Sequence, residues 1–241
     1  MTNLKEKMIG EIVAEDYRTA AIFKNHGIDF CCHGNRSINE ACVPQKINKE
    51  KLIAALKDIT RNRQQITSDF QSWPLDLLIN YIEKKHHRYI RSQLPMLQEY
   101  LEKLCKVHGE RHPELFEIRD LFVHSEMEFI VHMQKEEKVL FPFIIKMIED
   151  SAEGHHTVNA AFDSVEMPII NMMQEHQTEG DRFKKIKDLS NNYTTPDDGC
   201  NTYRVAYSLL QEFENDLHLH LHLENNILFP KAVEMEAALN N

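Results

Sequence analysis

Apolar positions recur at helical spacing along almost the whole chain, and the breaks in that pattern divide it into elements. Residues 10 to 26 form an amphipathic stretch through Ile12, Val13, Tyr17, Ala20, Ala21 and Phe23, which Gly27 ends by accepting a left-handed cap. A cysteine-bearing turn, Asp29-Phe30-Cys31-Cys32-His33-Gly34, runs into Ser37-Ile38-Asn39-Glu40, where Ser and Glu three apart make a capping box for a short helix. Asn48 is placed to cap a third helix carrying Leu52, Ile53, Leu56 and Ile59. Apolar residues thin out from Thr60 to Ser72, and Trp73-Pro74 opens a new segment.

From residue 75 onward four long helical patterns follow, separated at residues 109–113, 151–156 and 191–199. Four helices with short polar connections predict an antiparallel bundle. The chain therefore reads as all-α: a small helical domain with the cysteines over residues 1–63, then a four-helix bundle over residues 75–241. Composition agrees, because only 7 Gly and 8 Pro interrupt segments rich in Glu, Lys, Leu, Ile and Met.

Charge narrows the partners. With 38 acidic against 28 basic residues the formal charge is −10, a field that repels phosphate backbones and anionic lipid, so neither nucleic acid nor membrane is expected to bind. The start lacks an apolar region of signal-peptide length and no stretch of membrane-spanning length occurs, so a soluble, cytoplasmic protein is expected. Five cysteines, an odd number in a long chain, read as thiols rather than as a disulfide framework.

Candidate chemistry lies in an internal repeat. His132-Met-Gln-Lys-Glu136-Glu-Lys-Val-Leu140-Phe141-Pro142 returns 88 residues later as His220-Leu-His-Leu-Glu224-Asn-Asn-Ile-Leu228-Phe229-Pro230. Residues four apart project from one helix face, so each His and Glu stand about one turn apart. His220 and Glu224 share a stripe with Phe213, Leu217, Ile227 and Leu228, and His132 and Glu136 share one with Ile118, Leu121, Phe129, Val139 and Phe143. Glu137 falls outside its stripe, and the pair His218 and His222 lies on the opposite side, towards solvent. A lone buried carboxylate costs several kcal/mol unless protonated, paired or coordinated. No Lys or Arg sits on either stripe except near the ends, and imidazole with carboxylate suits iron, manganese or zinc. A Glu from each copy, placed to bridge two metals, points to di-iron. In the third helix His176 falls in line with Val165, Ile169, Met172, Met173 and Phe183 as a further ligand. In the first helix periodicity slightly favours His86, whereas the repeat offset favours His87.

The blocks Asp29 to Gly34, His86-His87 ahead of Gln93-Leu94-Pro95, Val107-His108-Gly109, Glu175-His176 and both Leu-Phe-Pro repeats resemble the iron-sulfur cluster repair family called RIC. Its members join an N-terminal cysteine domain to a hemerythrin-like domain, and the resemblance covers essentially the whole chain. It implies His87, His132, Glu136, His176, His220 and Glu224 as ligands of two iron ions, with the carboxylates and an oxo group bridging them, and so takes His87 over His86. It implies repair of iron-sulfur clusters damaged by oxidative and nitrosative stress, with the centre donating iron. Cys31 and Cys32 would contact a damaged iron-sulfur protein or a cluster scaffold. Nitric oxide and dioxygen are the small ligands to expect, and a homodimer is the expected assembly. Binding or reduction of nitric oxide, and sensing of iron or a diatomic gas, are the alternative activities.

Oxygen-carrying hemerythrins differ in two places: Gly180 stands where they carry a second histidine, and Asn225 where they use Asp. With fewer side-chain ligands, the irons keep positions for water or small ligands. The cysteine pair precedes a helix start, which favours a thiolate. A zinc site from Cys31, Cys32, His33 and Cys42 lacks the usual C-x2-C spacing, and Cys105 and Cys200 show no partner signal.

Overall fold

The computed structural model describes residues 7–61, 69–154 and 164–239; residues 62–68 and 155–156, within two of the expected boundaries, lie outside them. Among the described residues the regular elements are helices and no strand occurs. By packing the chain divides into two units, Met1–Leu78 with Leu221–Asn241, and Ile79–His220. The end of the last helix is thus grouped with the N-terminal segment.

In the first unit α1 (Ile9–Glu15), α2 (Thr19–Asn25), α3 (Ile38–Gln45) and α4 (Lys49–Arg61) bury Ile9, Ile12, Val13, Phe23, Ile38, Leu52 and Leu56. The capping box at Ser37 and Glu40 forms, and Asn48 Oδ1 accepts from Lys51 N at 2.9 Å. Gly27 takes φ 68°, the left-handed value that a side chain resists. The single helix expected over residues 10–26 is two. Asp16 leaves the helix with φ −154°, and its carboxylate accepts from both the backbone N (3.1 Å) and the guanidinium (2.5–3.2 Å) of Arg18. That short-range alternative to the helical ladder leaves hydrophobic periodicity unchanged, which is why spacing did not reveal it.

The second unit is a four-helix bundle. Its runs are the end of α5 (Leu75–Tyr81) with a π segment Ile82–His87 and α6 (Arg88–His108); α7 (Glu114–Lys135), a π segment Glu136–Leu140 and α8 (Phe141–Glu153); α9 (Glu166–Leu189); and α10 (Asn201–Leu223) as far as His220. Phe213 holds three of these runs together, with ring centroids 5.8 Å from Phe122, 5.8 Å from Phe129 and 5.5 Å from Phe183. Beyond the division the last run continues as a π segment Glu224–Leu228 and α11 (Phe229–Leu239).

The π segments have a local cause in the repeat. Pro142 and Pro230 follow two residues after the second and third of them, and a proline has no N–H for the carbonyl four residues back and clashes with it. The ladder widens there, and His132 to Glu136 and His220 to Glu224 each run up to the start of a widened turn.

Candidate metal centre

The first π segment brings both histidines of the first run inside, since His86 and His87 are each 0% exposed. Their roles separate by partner. His86 Nδ1 donates to Asp216 Oδ2 at 2.9 Å, whereas His87 Nδ1 donates to Glu137 Oε1 at 2.8 Å and turns Nε2 towards Glu136, 3.3 Å from Oε2. Arg91 Nη2 donates to the other oxygen of Glu137 at 2.8 Å.

Glu136 is also 0% exposed, and its Oε1 stands 3.2 Å from His132 Nε2. The two oxygens of one carboxylate therefore face two different imidazoles. His132 is oriented in the same manner as His87: its Nδ1 donates to Glu175 Oε2 at 2.8 Å, and Lys135 Nζ donates to Glu175 Oε1 at 2.5 Å. The Nε2 atoms of His132 and His176 are turned towards each other, 2.9 Å apart. His220, 1% exposed, has its ring centroid 5.0 Å from that of His87. Atoms able to ligate a cation lie within 4.8 Å of one another in two groups that share Glu136, one with His87 and His220 and one with His132 and His176. Glu224, the first residue of the π segment that continues α10, is 0% exposed.

Electrostatics favour a bound cation. Burial alone would raise the carboxyl of Glu136, yet the imidazoles of His132 and His87 outweigh it and hold the group well below the usual carboxylate range. Burial, followed by the neighbouring His87, His86 and His176, holds His220 neutral. Ionised carboxylate and neutral imidazole are the ligating forms. Neither oxygen of Glu136 has a hydrogen bond of acceptable geometry among the described residues, and neither does Nε2 of His87. Two orphaned oxygens on a fully buried carboxylate, each with an imidazole nitrogen 3.2–3.3 Å away, are a donor set that fits a first-row metal ion.

Sequence spacing missed the residues that orient these side chains. Glu137, set aside as lying outside the stripe, holds His87; Glu175 and Asp216 hold His132 and His86. Such carboxylates fix the tautomer and direction of an imidazole, and the adjacency of Glu137 to Glu136 and of Glu175 to His176 was the available signal. His222, expected in solvent, is 1% exposed: its ring lies 5.6 Å from Tyr17 and 6.0 Å from Phe30, and Asn226 Nδ2 donates to its Nδ1 at 3.1 Å. His218 is half-buried rather than free in solvent.

In the first unit the cysteine pair forms its own cluster. Asp29 Oδ1 accepts from Cys31 N at 2.9 Å, Cys31 Sγ at 3.3 Å and Cys32 N at 3.0 Å, and the two sulfurs are 3.7 Å apart. The contact with Cys32, then burial, then the Asp29 carboxylate push the Cys31 thiol well above its ordinary range, so it is a proton donor here and not the thiolate that a helix start would favour. All five cysteines are free thiols.

A bundle with a buried His and Glu set of this kind defines a cation-binding protein of the hemerythrin class. The family model described as the hemerythrin HHE cation binding domain matches residues 78–232, and that of a domain of unknown function, DUF542, matches residues 5–60. The iron-sulfur cluster repair protein ScdA of Staphylococcus haemolyticus is 32% identical over 226 residues, 94% of this chain and 97% of that protein. The iron-sulfur cluster repair protein YtfE of Yersinia pestis is 33% identical over 239 residues, 96% of this chain and 99% of that protein. The chain belongs to this family of hemerythrin-domain iron-sulfur cluster repair proteins.

Proposed function

We propose that this protein takes part in the repair of iron-sulfur clusters damaged by oxidative or nitrosative stress, as an iron donor with a di-iron centre. The observation that carries the reading is Glu136, whose two orphaned oxygens face His87 on one side and His132 on the other. His87 and His220 would hold one ion, His132 and His176 the other, and Glu136 and Glu224 would bridge the pair. When bound, the ions supply iron for a depleted cluster and positions open to a small diatomic ligand such as nitric oxide or dioxygen.

The chain's own residues set the terms of that exchange. Glu137 and Glu175 keep Nδ1 of His87 and His132 protonated and Nε2 aimed inward, so the site is preorganised and gives up little conformational entropy on loading. Because Glu137 and Glu175 are themselves tied to Arg91 and Lys135, which reach the surface, a client docking there can loosen an imidazole without entering the core. Cys31 and Cys32 are the thiols assigned to the client contact.

The test is anaerobic. The iron-loaded chain is mixed with a client enzyme whose cluster has been damaged by nitric oxide, and client activity is followed. Recovery faster than with the same concentration of free ferrous iron is expected, and its loss in Glu136→Ala. Recovery no faster than with free iron would end the donor reading, and steady consumption of nitric oxide with an electron donor would put reduction in its place.

A further inference from the structure

At the other end of α6 from the metal-site histidines, 21 residues or about 31 Å along the helix from His87, lies a second chemical group. His108, 4% exposed, closes α6, and its Nε2 is 3.2 Å from Sγ of Cys200. Nδ1 of His108 has no hydrogen-bond partner among the described residues, so the thiol is the imidazole's single hydrogen-bond partner there. Cys200 itself is exposed and sits immediately before the first residue of α10, a helix of 23 residues whose free backbone N–H groups converge on that position. Around the pair stand His112, which donates to Asp198 Oδ1 at 2.9 Å and contacts Glu114, and Arg111, 2.7 Å from Asp198. Tyr203 covers the ring of His108 edge-on, with centroids 5.3 Å apart.

We infer that Cys200 and His108 form a nucleophilic thiol site, separate from the metal centre, that exchanges with low-molecular-weight disulfides to give a mixed disulfide. A buried imidazole whose one partner is an exposed sulfur is an arrangement that activates a thiol, and the helix N-terminus stabilises the resulting anion. In the step, the Cys200 proton passes to His108 Nε2 and the thiolate attacks one sulfur of the disulfide. A new S–S bond forms at Cys200, the old one breaks, and the departing thiolate takes the proton back from His108. Cys200 is oxidised and half of the small disulfide is reduced, so no further reagent is needed. The hydrogen bond from His108, followed by the backbone N–H of Tyr203, lowers the thiol to about 7, in accord with this geometry.

The test uses oxidised glutathione on the full chain, with peptide mapping of the adduct at each cysteine across pH. At pH 7 a thiol near 7 is about half thiolate and an ordinary one near 8.5 only about 3%, while the lower basicity costs the thiolate about fivefold in nucleophilicity. Folded Cys200 should therefore react about threefold faster than Cys200 of the urea-unfolded chain at pH 7, yet about fivefold slower at pH 10. His108→Asn should move the midpoint of the profile up by at least about one pH unit and abolish the advantage at pH 7. Should that variant fail to fold, the crossing of the two wild-type profiles still decides. Profiles that never cross, a folded midpoint above about 8, or a folded His108→Asn protein with the wild-type profile would each overturn the proposal.

Discussion

Glu136 and Glu137 are neighbours in sequence with different surroundings: the first has both oxygens in the core facing imidazoles, the second binds the outer nitrogen of His87 and an arginine. Glu136→Ala should abolish tight iron binding, whereas Glu137→Ala should weaken it by about 10- to 100-fold, the usual effect of removing an orienting carboxylate. Equal iron content in the two variants after anaerobic loading and desalting would show that the carboxylates are not ranked as proposed. His222 gives a second prediction at this scale. Burial lowers it to about 3 from an ordinary 6.5, so between those values the unfolded chain binds the extra proton and stability falls as pH drops. Relative to His222→Phe, the wild type should lose about 2 kcal/mol on going from pH 7 to pH 4.5, and a pH-independent difference in urea midpoints would contradict this. The ligand repeat was legible because His and Glu recur with Leu-Phe-Pro. The burial of His222 was not, because what covers it, Tyr17 and Phe30, comes from residues 205 and 192 positions earlier, which no helical period registers.

Among the elements, the π segments decide where the site lies, and they are where sequence reading was weakest. An extra residue in the turn shifts every later side chain around the axis, so a period fitted across residues 79 to 101 could not separate His86 from His87, and both prove buried. Helix caps, in contrast, were readable from single residues, as at Ser37, Asn48 and Gly27. Breaks made by one side chain, such as Asp16 with Arg18, were not. The Asn226 of the third π segment donates to Phe30 O at 3.3 Å and its Oδ1 lies against Gly34, where an added Cβ would stand 2.8 Å from that atom and 2.6 Å from Phe30 O. Gly34→Ala should lower stability by about 1–3 kcal/mol through overpacking, read as a shifted urea midpoint with an unchanged slope. An unshifted midpoint would mean that the turn relaxes freely.

At the scale of the molecule the fold class was plain from the absence of strand patterns and the scarcity of Gly and Pro, but the packing units were not. A division at residue 63 implies a bundle that stands alone. Grouping Leu221–Asn241 with the N-terminal segment implies that removing residues 1–63 takes away the contacts of His222, Asn225 and Asn226 with Tyr17, Phe30 and Cys31. The truncated chain should therefore melt several degrees below the full chain, and an equal melting temperature would show that those contacts contribute nothing. No helix among the described residues is long and apolar enough to cross a membrane. The central claim is that two groups of ligands sharing Glu136 hold two ions, and metal analysis of the anaerobically iron-loaded chain tests it most directly. Two irons per chain are predicted for the wild type and at most one for Glu136→Ala, whereas a single iron in the wild type, or two retained in the variant, would contradict it.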